Sequence, residues 1–392
     1  MKPLDGIRIL DLSRLLPGPY ATMLLADLGA EVIKIETPGL GDYIRLIPPF
    51  IENPETGETI GSAYLTVNRN KKSVALNFRN ARGKEILFRL VRDADVVVES
   101  FRPGAVAKWG IGYDAARAIN PHIIYCSLSG YGQSGPYRDR AGHDLNYIAL
   151  AGLLAANGAA DGAPIPPAVQ VADLSGAMLA AIAILAAIVQ RGKTGEGQYL
   201  DVSLFDGALS WASTIIGGTF AAGKPTARGK MQLNGGMASY NVYETQDGKF
   251  ISLGIIEPPF WLAFCKAVER EDLRERAYEF DAIPEVAAII KTRTLDEWMA
   301  LFKTLDACVE PVRDFSELFD DPHVRHRGLI AEVDVPGIGK IPQIGSVFVF
   351  AQGAPTPPPR QGEHTREVLT QIGMSQEEIT ELEAAGILKA GE

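Results

Sequence analysis

Short Val/Ile-rich runs alternate with helix-like spacings over the first 130 residues, and this alternation constrains the fold more than any other feature of the chain. Ile7–Leu12, Glu31–Glu36, Ser73–Phe78, Asp95–Glu99 and His122–Ser129 read as strands. Pro19–Leu28, stopping at Gly29, and Ala81–Val91 carry helical spacing. Such βαβ alternation predicts an α/β fold: a parallel sheet with helices on both faces.

The second half is less regular. An apolar helix is expected from just after Asp173 to about Gln190, then a strand at Gln198–Leu204 and a helical stretch to about Ile216. Residues 217–236 hold six glycines and read as a linker or mobile loop. Tyr240–Glu244 and Phe250–Leu253 flank Asp247-Gly248 as a hairpin, and helices dominate from Pro259 to about Leu305. Two last helices, Thr365–Ile372 and Ser375–Ala385, follow the proline-rich stretch Ala354–Pro359. The expected organisation is a large Rossmann-like domain over 1–216, the glycine-rich linker over 217–236 and a small α+β domain over 237–325. A linker and C-terminal return to the large domain fill 326–392.

Composition excludes some function classes. The net charge of −10 argues against nucleic acid as a partner, which calls for a basic domain. The three cysteines, Cys126, Cys265 and Cys308, have no metal or redox spacing and suit a reducing, cytoplasmic setting. Met1–Gly6 has no apolar signal-peptide region. The most apolar stretch, Gly176–Val189, reads as a buried helix too short to span a bilayer, so no membrane partner is expected. After the first strand comes Ser13-Arg14-Leu15-Leu16-Pro17-Gly18, without the glycine spacing of a dinucleotide site, and no P-loop occurs. His323 and His326 lie three apart among charged residues and read as surface, so no metal is expected.

Two segments stand out for chemistry: Ala141-Gly142-His143-Asp144-Leu145-Asn146-Tyr147, and Val171-Ala172-Asp173-Leu174-Ser175-Gly176. Asp173, just before the apolar helix, reads on its own as an N-cap. Basic residues in loops of the large domain are candidates for holding phosphates: Arg14, Arg45, Arg69, Lys72 and Arg102. Ligands in open α/β sheets gather at the carboxyl ends of strands, which favours Arg14 and Arg102. Trp211, Phe220, Met237, Tyr240, Phe260 and Trp261 are candidates for lining an acyl pocket.

Five stretches in order carry a family resemblance: Leu4-Asp5-Gly6-Ile7-Arg8-Ile9-Leu10-Asp11-Leu12-Ser13, Gly29-Ala30-Glu31-Val32-Ile33-Lys34-Ile35-Glu36, Phe101-Arg102-Pro103-Gly104, Lys193-Thr194-Gly195-Glu196-Gly197-Gln198 and Gly362-Glu363-His364-Thr365-Arg366. Over essentially its full length the chain resembles CoA-transferase family III, the CaiB/BaiF family, and within it the α-methylacyl-CoA racemase branch. The resemblance implies an acyl-CoA substrate, no cofactor beyond that coenzyme A, and an interlocked homodimer whose active sites lie between the large domain of one subunit and the small domain of the other. It puts Asp173 on the catalytic aspartate and His143 on the racemase histidine. Glu257, in Gly254-Ile255-Ile256-Glu257-Pro258, falls on a glutamate that assists that histidine from the other subunit.

Two mechanisms follow from it. In a racemase, His143 and Asp173 exchange roles as acid and base on opposite faces of a thioester-acidified α-carbon. The free N–H groups of the first helical turn at Asp173 are then expected to face the enolate oxygen. In a CoA transferase, Asp173 attacks the thioester and becomes an aspartyl-CoA thioester, with no requirement for His143. His143 favours the first. Val169, four residues before Asp173 where racemases usually carry asparagine, favours the second.

Overall fold

The computed structural model describes residues 1–225 and 227–391. It divides into two compact units: 1–148, 170–210 and 322–392 form the first, and 149–169 with 211–321 form the second. Against the expected boundaries, 211–216 and 149–169 group with the second unit.

The first unit is built on a seven-stranded sheet. Six strands are parallel: β1 (Arg8–Asp11), β2 (Glu31–Glu36), β3 (Lys71–Leu76), β4 (Val96–Glu99), β5 (Ile124–Ser129) and β6 (Tyr199–Ser203). Their spatial order is β3-β2-β1-β4-β5-β6, and Leu388–Lys389 adds an antiparallel edge to β3. The central strands are buried along nearly their whole length, which is why they appear in the sequence as continuous apolar runs. The chain steps outward from β1 to β2 and β3, then returns to β4 on the other side. The sheet therefore has a switch point between β1 and β4, where side chains from two diverging loops leave a crevice.

Helix α1 (Pro17–Asp27) follows β1. Pro17 opens it, tolerated because the first turn has no intrahelical use for its N–H. Further helices include α2 (Ala81–Arg92), α3 (Asp144–Leu150), α4 (Val171–Thr194) and α5 (Leu204–Trp211). Helix α4 starts two residues before Asp173, so Asp173 lies in its first turn and is not its cap. It continues through Gly192 and ends at Gly195, whose positive φ of 74° suits the left-handed closing residue. At 24 residues α4 is long and apolar enough to cross a membrane, unlike the shorter stretch expected. Its small residues, Ala172, Gly176, Ala177, Ala180, Ala181 and Ala187, are buried, and it packs on α1, β5 and β6 as a core helix does. Met178, Ile182 and Val189 stay exposed on it.

The second unit has an antiparallel sheet, β7 (Tyr240–Glu244), β8 (Phe250–Gly254) and β9 (Val309–Pro311), with β8 in the middle. One face packs on a core centred on Trp261, Phe264, Trp298 and Phe302. Both indole N–H groups donate to carbonyls, Trp261 to Leu273 at 2.9 Å and Trp298 to Ile290 at 2.7 Å. The glycine-rich window is not all loop: helix α6 (Ser213–Ala222) runs through Gly217 and Gly218. The apolar run around those glycines (Ile215, Ile216, Phe220) carries the helix despite their low propensity.

Candidate active site

A cavity of about 300 Å³ opens in the first unit at the carboxyl ends of β1, β4 and β5, at the switch point of the sheet. Arg14 and Leu15 reach it from the loop after β1, Phe101 and Arg102 from the loop after β4, and Gly130 and Tyr131 from the end of β5. Arg138, Arg140 and His143 enter from the segment leading into α3, Tyr147 from α3 itself, and Asp173 from the first turn of α4.

Buried charges anchor the loop after β1. Asp11, at the end of β1, accepts the Ser13 N–H at 2.9 Å, the Thr22 hydroxyl at 2.7 Å and the Lys71 ammonium at 3.1 Å. Lys34 donates to the Ser13 carbonyl at 3.0 Å and pairs with Asp42 at 2.8 Å. Asp42 in turn accepts the N–H of Leu15, which has a positive φ of 63°. These contacts fix the turn that presents Arg14, whose guanidinium lies over the Phe101 ring at 5.0 Å.

Asp173 has the opposite surroundings. Burial pushes its carboxyl up to about 7, and the neighbouring Asp144 adds to the rise. Asp144 also does the capping that the sequence suggests for Asp173: its Oδ1 accepts the N–H groups of Ala172 at 2.6 Å and Asp173 at 3.2 Å. Those two donors, expected to face an enolate oxygen, are thus already used. The Tyr147 hydroxyl donates to the Gly142 carbonyl at 2.5 Å, and its ring lies where side chains on Gly130 or Gly142 would sit. Burial and then Asp173 hold that phenol up at about 12, so it stays neutral. His143 is exposed at the cavity; its N–H donates to Asn146 Oδ1 at 3.1 Å.

Of the residues singled out in the sequence, Asp173, His143, Arg14 and Arg102 meet in this cavity. Three basic candidates do not line it and hold carboxylates instead. Arg45 pairs with Glu36 at 2.7 Å over the Tyr64 ring, Arg69 is buried against Asp27 at 2.6 Å, and Lys72 bridges Glu31 and Glu367. Arg138 and Arg140 take their place in the lining. Their signal is their position, five and three residues before His143 respectively. Glu257 belongs to the second unit, as the residue before Pro258 at the start of α7 (Pro258–Ala267). Met237 and Trp261, expected in an acyl pocket, are core residues; Tyr240 lines a separate cavity of about 570 Å³ on the second unit's sheet, with Leu233, Val242 and Cys308.

Comparison with known proteins decides the family. Residues 4–365 match the model of CoA-transferase family III. The chain belongs to CoA-transferase family III. A succinyl-CoA:glutarate CoA-transferase of Mus musculus is 36% identical, over 95% of this chain and 87% of its own length. A succinyl-CoA:mesaconate CoA-transferase of Haloarcula marismortui is 37% identical, over 95% and 97%. The human alpha-methylacyl-CoA racemase is 33% identical, over 99% and 98%. Among solved structures, a CAIB/BAIF family protein from Brucella suis superposes with a TM-score of 0.82 at 29% identity, covering 95% of this chain and 99% of that one. The cavity described above is accordingly the candidate active site of a family III enzyme, a group that includes both CoA transferases and racemases.

Proposed function

We propose that the protein is an acyl-CoA racemase that moves a proton on and off the α-carbon of a 2-methylacyl-CoA. The observation that carries this reading is the shared cavity of Asp173 and His143, with the Asp173 carboxyl at about 7. A proton carrier works best with a pKa near the working pH, because it must both accept and give up the proton. One of the two groups takes the α-proton, the electron pair moves onto the thioester oxygen, and the other returns a proton from the opposite face. Arg14, Arg102, Arg138 and Arg140 supply positive charge for the phosphates of coenzyme A. Arg102 and Arg140 are free for that role, since neither is in an ion pair among the described residues.

This reading includes a homodimer. Met178, Ile182 and Val189 on α4 are exposed apolar side chains that a second copy of the chain would cover. A second copy would also supply Glu257 to orient His143. No cofactor beyond coenzyme A, no nucleic acid or membrane partner, and a cytoplasmic location complete the proposal.

CoA transfer is the second reading, favoured by the transferases at 36–37% identity. There the Asp173 carboxylate attacks the thioester carbon and expels the thiolate, forming a mixed anhydride. The thiolate then attacks the aspartyl carbonyl of that anhydride and expels the first acid as its carboxylate, leaving CoA as a thioester on Asp173 for transfer to a second acid. Substituting each residue separates the two. Under the racemase reading His143→Ala and Asp173→Ala both abolish turnover. Full activity in His143→Ala, with hydroxylamine or borohydride trapping the mixed anhydride or the CoA thioester on Asp173, would replace racemisation by transfer.

A further inference from the structure

The loops that bring Arg14 and Arg102 to the cavity are each held by a buried carboxylate, and the two holds differ. Asp42 accepts the Leu15 N–H at 3.1 Å while its charge is matched by Lys34 at 2.8 Å. Glu99, the last residue of β4, accepts the Phe101 N–H at 2.7 Å and is 1% exposed. Its second partner is the hydroxyl of Ser127, directly opposite on β5. No lysine or arginine pairs with Glu99 among the described residues. The ionisable groups around it, Tyr125, Cys126 and Tyr199, are all shifted upward by burial first, and so are neutral near pH 7.

A carboxyl without a cation in such a place costs stability. What it holds is the segment Phe101-Arg102, both members of which line the cavity, with the Arg14 guanidinium resting on the Phe101 ring. The Phe101 N–H therefore links Glu99 to two of the four arginines.

We propose that Glu99 is a positioning residue for coenzyme A: by accepting the Phe101 N–H it sets the loop that presents Phe101 and Arg102, without touching the ligand itself. This rests on the reading that the cavity takes coenzyme A. Burial carries the Glu99 carboxyl to about 7, consistent with a group that no cation neutralises.

The test is titration of free coenzyme A into the full-length protein by calorimetry, for wild type, Glu99→Gln and Glu99→Met. Glutamine keeps an acceptor for the Phe101 N–H and should bind within about threefold of wild type. Methionine keeps the bulk but removes the acceptor and should weaken binding by roughly 10- to 150-fold, the usual worth of a hydrogen bond to a charged group. Gln rescue of affinity is the outcome that a packing role would not give. Wild-type affinity in Glu99→Met, or glutamine as weak as methionine, would overturn the proposal alone. Failure of the wild-type protein to bind coenzyme A would overturn it together with the site reading. Should Glu99→Met not fold, amide exchange of wild type decides: the Phe101 amide should be protected without ligand, and fast exchange there would overturn the hold.

Discussion

Asp11 and Asp173 are two aspartates of the same unit whose surroundings push them in opposite directions. Asp11 is wholly buried, and burial alone would raise its pKa. Lys71 and Lys34, with the Ser13 and Thr22 hydroxyls, overcome that and hold it well below the ordinary carboxylate range. Glu36 nearby behaves alike: burial opposes ionisation, Arg45 outweighs it, and the carboxyl sits at about 2. Asp173 is less buried than either, yet its carboxyl is carried up to about 7, because burial raises it and its charged neighbour is Asp144 instead of a cation. Depth of burial does not by itself decide which carboxyls are lowered and which are raised here. The supply of cations sets the direction in which each carboxyl shifts.

The comparison can be broken first at Asp173. Asp173→Asn should lower turnover of an accepted acyl-CoA by roughly 10³-fold or more in steady-state assays, since both candidate mechanisms route through this carboxylate. Near-normal turnover would move the chemistry elsewhere. Next in size is the structural partner: Lys71→Met should destabilise the fold by about 3–5 kcal/mol in urea unfolding, because it strands Asp11 as a buried charge. It should do so without a matching change in the pH dependence of activity.

The same contrast was only partly visible in the sequence. Strands β1 to β5 were legible because burial on both faces writes them as apolar runs. The hairpin strands Ile330–Val335 and Gly339–Ile344 were not, since Glu332, Asp334 and Lys340 interrupt the pattern on an exposed ribbon. Asp173 read as a helix cap because an Asp before an apolar run usually is one. The true cap, Asp144, lies 29 residues earlier, and only folding brings it there. Arg45, Arg69 and Lys72 looked available for phosphate because their carboxylate partners, Glu36, Asp27 and Glu367, are fixed by tertiary contacts. Arg138 and Arg140 do not stand out in the sequence because they follow no strand directly.

Two smaller effects sharpen the comparison. A carboxyl whose folded pKa is raised makes the folded state bind more protons than the unfolded one between about 4 and 7. Asp173 should therefore cost stability as pH rises through that window, with the full cost present above 7. Asp173→Asn should be more stable than wild type at pH 8 by on the order of 1–2 kcal/mol, a figure kept low because the group is only partly buried. The gain should vanish below pH 4 in denaturation measured across pH. Asp11, with its pKa lowered, contributes stability of the opposite sign, present above about pH 4 and lost only in strong acid. Smallest of all, Asp144→Asn removes the like charge while keeping an acceptor for the α4 N–H groups. It should move the limb of the pH–rate profile assigned to Asp173 to lower pH. An unmoved limb would mean that burial alone sets that value.

The central claim is that Asp173, left without a cation in a cavity it shares with His143, exchanges the α-proton of a thioester. Incubation of the full-length protein with a single epimer of a 2-methylacyl-CoA in deuterium oxide tests it, read by mass spectrometry and chiral analysis. Deuterium at the α-carbon of both epimers, lost in His143→Ala and in Asp173→Asn, is the predicted result. No α-deuterium from any branched acyl-CoA, in a preparation that still moves CoA between acids, would contradict it.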